Sequence, residues 1–336
     1  MTRAGLNLRG YSTLSYPKGS FAVEFQDEFN DAKSLPLLEM PEESDWVLYA
    51  PNNIEPVMMH NPLFYRMSRE IGRYASRTRF AEVFLNTGGG AVGASHYNGI
   101  YVVEEKLKRS PDRVNIARLD VEDTNAPAIT GGYFLAVDWV DPGEPTYIVP
   151  GVGSVPAQTI IYHYPKGEIL RLPQRDPQEQ YINVYLRNFV TNLAGPAFNT
   201  ATGYAQYIDV DSWIDYLQTA IATMNTDALR WSTFFFKDRD KPLEMGPVWD
   251  CDRCMGSTDD RNFNPRTWAG GGTDYFNWSW WGRLYQDPNF FQRYIDRYQQ
   301  LRRAAYSETN LFAIIDGFAA ELREAQPRES ARWQVP

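Results

Sequence analysis

At 336 residues, with 10 Trp and 21 Tyr among them, the chain has the length and the large rings to fill a sizeable core, which excludes a disordered chain. A formal net charge of −9, with no basic block set against it, excludes nucleic acid as the main partner. No apolar run reaches the ~18–20 residues that a membrane span requires, and Met1 leads into a charged segment without a signal-peptide core.

The opening RAGLNLRGYS already reads as strand and turn, so the compartment stays open. From Leu6 to Phe25 the pattern is strand, Gly10 turn and second strand, where the alternation of Phe21, Val23 and Phe25 marks one buried face. Lys18 enters that second strand, a position where lysine is ordinarily solvated. Residues 30–52 are Pro-rich and acidic, a loop or insertion with a short strand from Trp46 to Tyr49. Val57 to Gly72 has apolar residues at helical spacing and stops at a glycine; its Glu70 belongs on a solvated face. FAEVFLN and NGIYVVEEKLKR form a hairpin around Gly88 to Gly90. That glycine run lacks the Lys and Ser/Thr of a phosphate-binding loop and is an ordinary turn.

GGYFLAVDWV and TIIYHYP are two more extended pieces, separated by DPGEPTYIVPGVGSVP, which reads as a surface excursion. Helical patterns then take over at Asp176–Leu193, Val210–Met224 (capped by Asp211 or Ser212), Asp287–Ala304 and Glu308–Ala325. The fold class is α+β, with a sheet-rich part over 1–172 and a helical part over 173–336.

The stretch Met224 to Gly256 carries the chemistry. It offers Asp227 on a tight MNTD turn, a strand at Phe234, Phe235 and Phe236, a KDRDKP turn, and a return through Val248 and Trp249 to Asp250 and Asp252. Two carboxylate stations at the ends of a short hairpin suit a Mg²⁺ and general-base site. Phosphoryl transfer needs that pairing, because one carboxylate orients the attacking hydroxyl while another holds the metal that neutralises the phosphates. Cys251 and Cys254 flank Asp252; zinc would need two more soft ligands, and His60, His96 and His163 fit no ligand spacing. The pair reads as two small residues in a turn, oxidised or not.

The central stretch and its surroundings resemble the CotH family of spore-coat-type atypical protein kinases. The likeness covers nearly the whole chain: LNLRGYS with Lys18 downstream, NGIYVVEEK with Gly99, Tyr101 and Glu105, and GGYFLAVD. MNTD, PVWDCDRCMG, RLYQDPNFFQRYIDRY and a terminal ARW complete it. The resemblance implies a single kinase-like domain over 1–336. An antiparallel N-terminal β lobe would roof a nucleotide, and a helical C-terminal lobe would carry the catalytic hairpin 224–256. It also implies ATP and Mg²⁺ as cofactors and transfer to Ser or Thr of secreted or surface proteins. By position, Asp227 corresponds to the catalytic base, Asp250 to the principal Mg²⁺ ligand and Asp252 to its assistant. Lys18 corresponds to the lysine that reaches the ATP phosphates, with Arg9 in the neighbouring LRGYS turn. Glu105 is a nucleotide-contact candidate whose other reading is a structural salt bridge.

Kinases commonly carry an Asn five residues after the base to hold a second metal; here Ser232 stands there, a weaker ligand. Asp259, Asp260 and Arg261 read as a loop. A non-catalytic surface or matrix binding module on the same fold is the competing reading, supported by Ser232 and by the exposed-looking Trp278, Trp280 and Trp281. A glycosidase fits poorly, because Asp250 and Asp252 share one short segment whereas glycosidase acids flank the bond on opposite faces.

Overall fold

The computed structural model describes residues 2–257, 264, 266, 269–270 and 273–334. Asp259, Asp260 and Arg261 lie outside the described residues. The alternating segments near the N-terminus pair as expected. β1 (Arg3–Arg9) and β2 (Ser20–Gln26) form an antiparallel hairpin in which Leu6 faces Val23 and Arg9 faces Ser20. A small hairpin, β3 (Leu35–Leu37) and β4 (Met40–Glu43), leads into β5 (Asp45–Tyr49). With β6 (Thr78–Phe84) and β7 (Tyr97–Glu105) these strands complete an antiparallel sheet of order β1-β2-β5-β7-β6. Val23, Trp46 and Val103 line one face under Met40. Between β5 and β6 the chain forms helix α1 (His60–Glu70), where Glu70 pairs with Arg66 one turn back.

A second five-stranded sheet is built from β8 (Tyr133–Val137), β9 (Thr146–Val149), β10 (Gln158–Tyr164), β11 (Thr233–Lys237) and β12 (Leu243–Met245), in the order β12-β11-β8-β10-β9. The presumed excursion between β8 and β10 therefore contains a strand. Its Thr-Tyr-Ile-Val segment has β-forming side chains, and Val149 is fully buried against the sheet. The return strand of the central hairpin ends at Met245, before Val248 and Trp249. Strands from residues 133–164 and 233–245 share this sheet, so a division at residue 172 does not separate two cores.

Helices α2 (Gly167–Leu170), α3 (Asp176–Ala194) and α4 (Val210–Ala222) follow. Leu186, Phe189, Trp213 and Leu217 from α3 and α4 pack with Tyr133, Leu135 and Phe235 of the second sheet in one large core. The cap of α4 is Asp209, one residue before the helix, whose side chain accepts from Ser212 N at 2.6 Å. Asp211 and Ser212 are already helical. α5 (Trp281–Leu284), α6 (Pro288–Leu301) and α7 (Glu308–Leu322) complete the helical part. Trp280 and Trp281 are core residues, 3% and 2% exposed and packed on Trp213, whereas Trp278 is the exposed member of that group. Among the described residues no helix is long and apolar enough to cross a membrane.

The last helix, α8 (Gln326–Trp333), does not stand out in the sequence because its Gln-Pro-Arg-Glu-Ser-Ala-Arg-Trp run is polar. It returns to the first sheet. Glu329, 1% exposed, accepts from Lys18 Nζ and from Ile100 N, both at 2.6 Å, while Trp333 Nε1 donates to Asn98 O and Arg328 pairs with Glu82. Gly99, at φ +105°, leaves room for the Glu329 carboxylate, which an added Cβ would strike. Removing one partner of a buried pair strands the other. Glu329→Ala is expected to lower unfolding stability by about 3–5 kcal/mol in urea denaturation, and a Lys18→Met, Glu329→Leu double substitution to recover most of that loss.

Candidate functional site

Three segments converge on one cavity. The first is the turn after α4. Asn225 Oδ1 accepts from the backbone N–H of Asp227 and of Ala228, both at 3.1 Å, while its Nδ2 donates to Asp250 O at 2.7 Å. One asparagine thus shapes the MNTD turn and ties it to the WDCD segment. The second segment, from Trp249 to Cys254, rests on α1. Asp250 N donates to Tyr65 Oη at 3.3 Å, Cys251 N donates to Asn61 Oδ1 at 2.7 Å, and the His60 ring bonds to the Asp252 backbone. Cys251 and Cys254 are joined in a disulfide. Asp250 and Ser232 adopt φ of 61° and 47°, a region that non-glycine residues enter rarely and that concentrates at functional sites.

The third segment is the turn between β1 and β2. Arg9 stands at its start, with its guanidinium 5.5 Å from the Trp249 ring centroid. Gly10 follows at φ +120°, where an added Cβ would collide with the Thr13 hydroxyl. Tyr11 stacks on Trp139 with centroids 5.0 Å apart, and Trp139 stacks on Trp231 at 4.1 Å. A ladder of rings therefore joins this turn to the end of β8 and to the turn that carries Asp227. The cavity between them, open to solvent, has a volume of about 470 Å³ and is lined by Arg9, Gly10, Glu104, Asp227, Ser232, Asp250 and Asp252, among others. That is within the usual range for a small-molecule site.

Compared with known protein families, residues 6–336 match CotH, described as CotH kinase protein. The chain belongs to the CotH family. No curated protein matches it.

Of the residues that the sequence assigns to this CotH site, Arg9, Asp227, Ser232, Asp250 and Asp252 share the cavity. Lys18 and Glu105 are not among its lining residues. Lys18 is 2% exposed, and its ammonium donates to Glu329 Oε1 (2.6 Å), Ile100 O (2.5 Å) and Pro51 O (3.3 Å), which uses all three of its protons inside the protein. Glu105 is fully buried and held by Arg77 through Nε at 3.0 Å and Nη2 at 2.8 Å, with Arg77 N and Tyr74 Oη on its other oxygen. This is the structural salt bridge. The cavity receives its neighbour Glu104, because successive side chains of a strand point to opposite faces. Strand parity is the signal that could have found it. Asn61, which donates to Glu104 Oε1 at 3.0 Å, carries no mark in the sequence, whereas Asp138, which accepts from Ser232, closes the GGYFLAVD motif without a role assigned to it there.

Charge is crowded here. Withdrawal from water, then the negative charges of Asp227 and Asp138, raise the Asp250 carboxyl to about 6, against the pull of Arg9. Burial, then Asp250 and Glu55, push Asp252 well above the ordinary carboxylate range. Burial also raises Glu55 and Glu104 to about 8. Carboxylate oxygens are the donor type that a hard divalent cation takes. Among the described residues no group of three or more His, Cys, Asp or Glu side chains is placed to hold a metal ion. Mg²⁺ is typically bound by one or two carboxylates together with water and substrate phosphates.

Raised carboxyl values mean that the native state holds protons which the unfolded chain releases near pH 4. The contribution of Asp250, Glu55 and Glu104 to stability is present below that point and is lost as pH rises through about 6 and then about 8. A cation held by Asp250 and Asp252 would compete with those protons. Any rise in Tm that Mg²⁺ produces is therefore expected to be larger at pH 8 than at pH 5, as measured by differential scanning fluorimetry.

Proposed function

We propose that this CotH chain is a protein kinase that binds ATP with Mg²⁺ between its two sheet-based parts and transfers the γ-phosphate to Ser or Thr of a protein substrate. The observation that carries this reading is the meeting of Asp227 with Asp250 and Asp252, from two separate turns, in one cavity roofed by the β1–β2 turn. Asp250, with Asp252 beside it, would hold Mg²⁺, which supplies neutralisation of the phosphate charge when bound. Arg9 places a fixed positive charge on the same wall, and the Gly10 turn lets backbone approach a phosphate without a side chain in the way.

Asp227 is the base in this reading. Its side chain is 28% exposed, so an acceptor hydroxyl can reach it, and Arg230 Nη2 lies 3.4 Å from its Oδ1. Lys18 and Glu105 belong to the framework, where their ion pairs hold α8 and the end of β7. Asp250→Asn is expected to abolish the Mg²⁺-dependent part of ATP binding in calorimetry. Asp227→Asn should leave binding within about twofold and lower phosphate transfer by ~10²–10⁴-fold. Transfer that survived Asp227→Asn would refute the role of base.

One observation favours a second reading, a binding module that keeps the nucleotide and lacks transfer. Ser232, where a second metal ligand is expected, is bonded to Asp138 through both its backbone and its hydroxyl. The two readings separate in a radiolabel assay with Mg²⁺ and ATP, because the module alone predicts a shift in Tm without labelled product.

A further inference from the structure

The Cys251–Cys254 disulfide closes a four-residue ring around Asp252, with Asp250 immediately before it. Both sulfurs are withdrawn from solvent, the cysteines being 1% and 0% exposed. The backbone on either side of the ring is held in a costly shape. Asp250 sits at φ 61° before it, and Met255 at φ 50° after it. The Asp250 and Asp252 side chains are hydrogen-bonded to each other across this same turn. Backbone strain would be relieved if the turn opened. Hydrogen bonds from Asn225 to Asp250 O, from Cys251 N to Asn61 and from Met255 N to Thr223 O oppose that opening, and the covalent link opposes it across the ring itself.

We propose that the Cys251–Cys254 disulfide is a positioning device for the proposed Mg²⁺ site: it holds Asp250 and Asp252 turned together into the cavity, so Mg²⁺-nucleotide binding depends on the oxidised pair. This inference rests on the nucleotide-binding reading of the cavity. It goes beyond that reading by making the competence of the site conditional on an oxidising compartment, where such bonds persist. Reduction takes two electrons and two protons from a dithiol, breaks the S–S bond to two Sγ–H groups and leaves the reductant as its cyclic disulfide. Because the sulfurs are buried, reduction requires the turn to open first. Filling the cavity with cation and nucleotide therefore stabilises the bond, and by reciprocity the bond tightens the cation.

The wild-type chain is equilibrated in mixtures of reduced and oxidised dithiothreitol, trapped by alkylation and weighed by mass spectrometry, with ATP alone and with ATP plus Mg²⁺. The expected result is that saturating Mg²⁺ raises the reductant ratio needed to open half of the pairs by tenfold or more. In parallel, Cys251→Ala with Cys254→Ala should bind Mg²⁺-ATP at least tenfold more weakly in calorimetry, while ATP without Mg²⁺ binds within twofold of wild type. A general loss of structure would weaken both alike.

If that variant does not fold by circular dichroism, the redox titration of the wild type decides alone, and an unmoved curve overturns the proposal. A folded variant that binds Mg²⁺-ATP like wild type overturns it as well while leaving the kinase reading in place. A wild-type chain that binds no Mg²⁺-ATP at all overturns both.

Discussion

Carboxylates gathered out of water are unstable company, and the centre of this molecule is arranged around keeping them together. Asp250 and Asp252 project from one turn and Asp227 from another, with Glu104 and Glu55 behind them. Burial and neighbouring negative charge raise the affinity of Asp250 and Asp252 for protons. Arg9 supplies one compensating charge; the rest of the restraint is geometric. Asn225 ties the Asp227 turn to the Asp250 backbone, Asn61 joins the Cys251 amide to the Glu104 carboxyl, Tyr65 meets the Asp250 amide, and a disulfide closes the turn.

The surrounding scaffold explains how so crowded a turn stays in place. α1 lies under the WDCD segment and offers His60 and Asn61 from its first turn and Tyr65 from the next, so a single rigid helix carries three of its supports. The second sheet brings the end of β8 and the start of β11 side by side, which places Asp138 against Ser232 and Trp139 against Trp231. Buried ion pairs lie further out. Lys18–Glu329 and Arg77–Glu105 lock the first sheet to α8 and to the segment before β6. Because breaking either would strand a charge in a low-dielectric interior, both fix the arrangement of elements more strongly than their net contribution to stability suggests.

Much of this was legible in the sequence, for reasons that differ from residue to residue. The β1–β2 hairpin, α3, α4, α6 and α7 follow from periodicity, which reports the exposure of one face and needs only local order. Asp227, Asp250 and Asp252 were identifiable because two turns at hairpin distance bring their carboxylates near each other through the β11–β12 connection alone. The α8 helix was not legible, because a short polar helix gains its stability from docking, and its partner Lys18 is 311 residues away. The β9 strand hid inside a Pro- and Gly-rich run, where four residues carry too weak a signal against their surroundings.

By itself, then, the sequence determined the α+β class and the CotH family and singled out three acids that line one cavity, since all of these are written in short-range patterns. Only the tertiary structure decided which charged residues face the cavity and which are bolts. Lys18 and Glu105 sit in motifs that suggest ligand contact, yet each is consumed by a partner that the chain delivers from elsewhere, while Glu104 takes the cavity side of β7. The reason is that desolvation and pairing depend on what folding places opposite a side chain, and a one-dimensional sequence carries no direct record of that.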